Sequence, residues 1–248
     1  MQEFDRLEEA RGWYLEAVDA LGDDHWRKPS RCAGWTALDA VAHVASSDRF
    51  IAAAVMAALG GDVPKAVEPE SPPTPAELRK SSREISNQAA QGLRKLSDRS
   101  PEAIVRMRMG EVPVNRVVRL RTAEYVIHGY DLEPATGDER PVPGWYFEQT
   151  LPWAAENMTR AHQRSPHKGK SASFHLHRTD GHGEWIMRAH GGDARTEAGH
   201  GHADVAMRGS AAGLYWVLMG RGGPEEHGVE VVGDRGLASA FKEWFPGP

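Results

Sequence analysis

Along the N-terminal two-thirds of the chain, apolar residues recur with helical spacing. From Glu3 to Leu21 the stripe is Leu7, Trp13 or Tyr14, Leu15, Val18 and Leu21, and Gly22 follows it. The segment 23–34 reads as a loop containing Pro29 and Gly34. Thr36 then has the position of an N-cap, with Asp39 three residues later as in a capping box. The alanine-rich helix this predicts, 37–59, ends at Gly60-Gly61. A polar loop, 62–75, carries Pro64, Pro69, Pro72, Pro73 and Pro75 and reads as irregular. Further helices are expected at 76–98, 115–130 and from 143 or 144 to 162, with an extended piece at 107–109.

After residue 171 the pattern changes to alternation. Ala172 to Arg178 and Gly183 to His190 read as a hairpin across Thr-Asp-Gly-His-Gly. Another strand is expected at 203–208. A helix capped by Ser210 and ended by Gly220 follows, then a strand at 229–232 and a helix at 234–244. The stretch QRSPHKGKS, 163–171, is polar, basic and short of apolar residues, and reads as a linker. The expected fold is therefore α+β in two domains: a helical bundle over 1–162 and a small α+β domain over 172–248. No internal repeat is visible.

The 248 residues are 40% hydrophobic and 26% charged, which is ordinary for a globular protein with a sizeable core. A net charge of −5 argues against nucleic acid and anionic membrane surfaces as partners, since both call for a basic patch. The single cysteine, Cys32, excludes an internal disulfide. The N-terminus lacks a signal-peptide core, and the longest apolar run, 51–59, is too short for a bilayer. A cytoplasmic location is expected.

Candidate chemistry centres on RTAEYVIHGYDL, 121–132. Glu124 and His128 stand four residues apart, so both project from one helix face. A carboxylate and an imidazole so placed make two-thirds of a catalytic metal site, with His43 on the second helix as the candidate third ligand. Helices of a bundle can face each other across one end of the core. Zinc is the first expectation for such a set, though ligand type does not settle the metal. Asp39 and Asp131 are candidate partners for the second ring nitrogen of His43 and His128. Taken alone, the spacing favours a plainer reading: a surface Glu–His pair and a core histidine.

The segment RCAGWTALDAVAHV, 31–44, resembles the C-P-G-W-[ST]-x-x-[DE]-x-x-x-H pattern of the DinB-like superfamily, and more closely that of the mycothiol-dependent maleylpyruvate isomerase family. EYVIHGYDL is similar to that family's E-x-x-V-H-x-W-D-L. ADVAMRGSAAGLYWVLMGR with GVEVVGD is similar to its small C-terminal domain. The resemblance covers nearly the whole chain. It implies a DinB-like up-and-down four-helix bundle with an extra helix and a divalent metal, typically zinc, held by His43, Glu124 and His128. It also implies mycothiol, a sugar-linked low-molecular-weight thiol, as cosubstrate, and Arg221 as an arginine for an anionic substrate. Ala33 stands where the family often has proline, and Tyr130 where tryptophan is usual.

The function expected from this resemblance is a metal- and mycothiol-dependent S-transferase or isomerase acting on a small electrophile, as monomer or homodimer. The rival readings are a non-catalytic small-molecule binder on the same fold and a metal-dependent hydrolase working through bound water. Cys32 reads as structural. His175-Leu-His177 and His200-Gly-His202 have the spacing of metal pairs, and with His182 and His190 they are candidates for an adventitious site or plain exposed residues. Trp35 is expected in the core, and the loop 62–75 as a solvated connection rather than a lid.

Overall fold

The computed structural model describes residues 2–61, 73–108 and 110–247, and the chain divides into units at 1–143 and 144–248. In the first unit the helices are α1 (Gln2–Asp19), α2 (Ala37–Ala58), α3 (Pro75–Arg99) and α4 (Val114–Asp131), with a single turn, α5 (Glu133–Thr136). α1 packs on α4 and α2 on α3, while α1 also meets α3 and α2 also meets α4. A hairpin of β1 (Ile104–Met107) and β2 (Gly110–Pro113) precedes α4 and packs on α2. The polar loop at 62–75 lies almost wholly outside the described residues.

Local chemistry sets the helix ends. Thr36 and Asp39 form a full capping box: Asp39 accepts from the Thr36 N–H at 2.8 Å and the Thr36 hydroxyl at 2.6 Å. Thr74 and Glu77 repeat the device at α3, with Pro75 as the first helical residue. Pro75 thus starts that helix instead of ending the loop, since the first helical N–H has no intrahelical partner. α2 is, among the described helices, the one with the length and hydropathy of a membrane span; in the bundle it packs on α3 and α4 along one face, with Asp48 buried in that face. Gly129 on α4 admits the Trp13 ring, which would stand 2.3 Å from an added Cβ.

The second unit holds α6 (Tyr146–Met158), a 3₁₀ turn (Thr159–Arg164) and a five-stranded sheet. The strands are β3 (Ser171–Arg178), β4 (Glu184–His190), β5 (Asp193–Ala198), β6 (Val205–Gly209) and β7 (Glu230–Gly233), in the order β5-β4-β3-β6-β7. β3 and β6 run parallel and the other pairs antiparallel. Between β6 and β7 lies α7 (Ala211–Met219), capped by Ser210 and closed by Gly220 at φ 70°. The last expected helix is two short ones, α8 (Arg235–Ser239) and α9 (Phe241–Trp244). One sheet face buries Phe174, Leu176, Trp185, Met187, Val205 and Met207; register puts Ser173, His175, His177, Glu184 and Arg188 on the other.

The helix α6, read from sequence as part of the bundle, lies with the sheet. Tyr146 and Tyr215 hydroxyls meet at 2.6 Å, Arg178 donates to Glu148, and Thr196 donates to the Ala155 carbonyl at 2.7 Å. The stretch 163–171 is therefore a surface connection inside the second unit, and its polarity reflects solvent contact rather than a junction. β5 was not legible in DARTEA, because an edge strand without a buried side shows no apolar alternation.

Candidate metal centre

The capping box starts α2 at a defined residue, so His43 falls nearly two turns into that helix, facing α4. On α4, Glu124 and His128 sit one turn apart. His43 Nε2 lies 3.4 Å from Glu124 Oε2, and His128 Nε2 lies 3.5 Å from the same oxygen. One donor atom from each of the three residues falls within 4.8 Å of the others. Donors around a tetrahedral ion at ~2.0–2.1 Å stand roughly 3.3–3.4 Å from one another, so the spacing suits a small divalent cation. The donor set, two imidazoles and a carboxylate, suits zinc and its neighbours and leaves a fourth position open.

His128 is nearly buried, whereas His43 is 41% exposed at its side chain, so the site is anchored on one side and reachable from the other. Asp131, fully buried, binds His128 Nδ1 at 3.0 Å. That bond leaves Nε2 facing Glu124, as a ligand histidine requires. Burial pulls the His128 pKa down, but the bonds to Asp131 and Glu124 outweigh it and raise the imidazole above its ordinary value. Burial acts to raise Glu124, yet His128 and His43 hold its carboxyl well below the usual range. Asp39 does not serve His43 as expected: its carboxylate is committed to the α2 cap, and the Thr36 bonds lower its pKa.

Trp35 is not in the core. It is partly exposed, and its ring lies 5.1 Å from that of His43 and 6.1 Å from that of His128, nearly parallel to the latter. It lies beside both imidazoles of the cluster, while Trp26 takes the core position. Tyr130 lies under the Arg31 guanidinium at 4.3 Å, and Arg31 also pairs with Glu133 at 3.1 Å. The Cys32 N–H donates to the Ser30 hydroxyl in the adjoining loop.

One turn before Glu124 lies a group that sequence reasoning missed. Arg121 Nε is 3.0 Å from Asp48 Oδ1, both side chains being almost completely buried. The Tyr125 hydroxyl donates to the same Asp48 oxygen at 2.9 Å, and the guanidinium lies 4.3 Å from the Tyr125 ring. Burial raises the Asp48 pKa, with Arg121 opposing it. The signal was an aspartate inside the apolar stripe of α2 at a position that has to be buried. A cleft of about 230 Å³ runs from His43 and Glu124 between Phe50, Ile51, Val117 and Leu120, with Arg108 at its side.

Arg221 belongs to the second unit. It directly follows Gly220, is 6% exposed, and donates through Nη1 to the Met219 carbonyl at 2.8 Å. The second histidine group of the sequence is real in part: His175, His177 and His200 come together around Glu184.

Residues 7–133 match the family profile "Mycothiol maleylpyruvate isomerase N-terminal domain", and residues 147–240 match the "MDMPI C-terminal domain". Among solved structures, the mycothiol-dependent maleylpyruvate isomerase aligns at TM-score 0.63 and 19% identity, over 89% of each chain. A histidine-to-alanine mutant of that enzyme aligns at 0.62 and 17%, again over 89% of each. At these identities the likeness concerns the fold. No curated protein sequence matches the chain. With both profiles aligned in order over most of its length, this chain belongs to the mycothiol maleylpyruvate isomerase family.

Proposed function

We propose that this protein is a metal- and mycothiol-dependent enzyme that adds a thiol sulfur to an electrophilic carbon of a small substrate. The observation that carries the reading is the approach of two imidazole nitrogens to one carboxylate oxygen at 3.4 and 3.5 Å, from two helices far apart in sequence. Family membership supplies the thiol. His43, Glu124 and His128 would hold a divalent ion, zinc first among the choices. Such an ion lowers the pKa of a thiol that reaches it and keeps the sulfur as thiolate near neutral pH.

The residues around it have separate tasks. Asp131 orients His128 and keeps its Nε2 lone pair toward the ligand position. Arg121, held by Asp48, adds its positive charge to the larger pull of His128 and His43 that holds the Glu124 carboxyl low. Trp35, parallel to the His128 ring and tilted against that of His43, is the apolar neighbour of both imidazoles. The apolar walls of the cleft suit a short unsaturated chain, and Arg108 suits a carboxylate on it. Arg221 is proposed, from its family position, to serve an anionic substrate as well. Where the attacked carbon belongs to a conjugated double bond, addition, rotation and elimination return the thiol and invert the double-bond geometry. Where it carries a leaving group, that group departs with its electron pair and the product is a thiol conjugate.

The test is metal analysis of the purified protein together with thiol consumption in the presence of electrophiles. Catalytic loss of thiol, abolished by a chelator and by His43→Ala, is expected. Full turnover in a metal-free preparation would overturn the reading. Thiol loss limited to one equivalent per chain would indicate a binder, and turnover without thiol a hydrolase.

A further inference from the structure

The sheet of the second unit gathers a set of donors that the proposed reaction does not use. Register sets His177 opposite Glu184, and His175 lies two residues along β3 on the same face. β5 returns alongside β4, and the Gly199 N–H donates to the Glu184 carbonyl at 2.9 Å, which brings His200 over the same carboxylate. Glu184 is the hub. Its Oε2 lies 2.8 Å from His175 Nε2 and 2.7 Å from His200 Nδ1, and its Oε1 lies 3.3 Å from His177 Nδ1. One ligand atom from each of the four residues falls within 4.8 Å of all the others. His175 is 5% exposed and stands opposite the buried Ile186, so the cluster has a desolvated floor beneath the exposed His200.

We propose that His175, His177, Glu184 and His200 form a second divalent transition-metal site, a closed one that pins β3, β4 and the turn after β5 together. Three neutral imidazoles and a carboxylate form a donor set suited to zinc. Four protein ligands fill a tetrahedral shell, which is the arrangement of structural rather than catalytic ions. The Glu184–imidazole spacings, 2.7 to 3.3 Å, lie at or below the roughly 3.3 Å separation of tetrahedral donors, so an ion would push the carboxylate outward slightly. Cross-strand placement of three ligands makes the sheet itself the template, and the two Gly-flanked sides of His200 let that ligand close the shell. Without an ion the same contacts make a hydrogen-bonded hub, which is the rival the experiment has to separate.

The test uses the full chain carrying His43→Ala and His128→Ala, stripped with chelator and titrated with Co²⁺ and then Zn²⁺. The expected result is one ion per chain at micromolar metal, visible absorption of tetrahedral Co²⁺, and a higher unfolding temperature. Adding His200→Ala, a change at an exposed loop position, should weaken binding by more than about 100-fold, beyond what loss of an outer-sphere partner costs. Glu184→Gln should act likewise. No binding below millimolar metal, or binding indifferent to both His200→Ala and Glu184→Gln, would overturn the proposal in favour of the hydrogen-bonded hub. The readout does not involve thiol turnover, so failure of the catalytic reading leaves this test intact.

Discussion

The two histidine–glutamate clusters are built from the same residue types on different backbones, and the backbone decides what each can do. On the helices, Glu124 and His128 share a face one turn apart, and His43 comes from another helix. Three donors converge there, one fewer than a tetrahedral ion takes. On the sheet, register and alternation align His175, His177 and Glu184 on a single face, and a returning turn adds His200. Four donors converge, as many as a tetrahedral ion takes. The helical cluster also has an orienting partner, since Asp131 holds the far nitrogen of His128. An open shell with an oriented ligand suits chemistry; a filled shell suits cross-linking.

The comparison can be broken most directly by removing a ligand. His128→Ala should lower thiol-dependent turnover by more than about 100-fold, the upper range for outer-sphere changes, whereas His177→Ala should leave it near wild type. Equal losses in a steady-state assay would erase the distinction between the clusters. Next in size is the buried pair under the helical site. Asp48→Ala strands the Arg121 charge and should cost about 3–5 kcal/mol in urea unfolding. Replacing both partners, Asp48→Leu with Arg121→Met, should cost far less. A negligible loss in the single variant would show that the pair does not matter to the bundle.

Smaller effects sharpen the picture. Asp131→Asn should weaken metal binding about 10–100-fold, measured by competition with a chromophoric chelator, while keeping the stoichiometry. An unchanged affinity would remove Asp131 from the site. The pH dependence should be of opposite sign with and without metal. The folded pKa of His128 is raised, so in the stripped protein its contribution is fully present below the unfolded value of about 6.5 and fades as pH rises through the folded pKa. Metal needs the neutral imidazole, so occupancy grows over the same rise. Thermal unfolding of stripped and loaded protein from pH 6 to 8 should therefore diverge, and parallel curves would argue against a metal on His128.

Much of this was legible because local chemistry carried it. The i, i+4 spacing placed Glu124 and His128 on one face without any tertiary information, and Thr36 with Asp39 announced the start of α2. Asp39 also shows the limit of such reading: it stood at helical distance from His43 and was equally placed for the cap, and the short bonds to Thr36 decided between them. Trp35 reads as core by hydrophobicity, yet its neighbours are the two imidazoles. The linker expected at 163–171 came from composition, which reports solvent exposure and cannot tell a surface turn from a junction.

Periodicity, caps and motif order, all written over a few neighbouring residues, determined the helices, most of the strands, the two-part α+β plan and the ligand candidates His43, Glu124 and His128. Only the tertiary structure decided which distant side chains share a volume: His43 with Glu124, Asp48 with Arg121, and His200 with Glu184. The division has a physical cause. Hydrogen bonding and side-chain direction within a segment follow from its own residues, whereas the meeting of segments depends on how whole apolar faces pack.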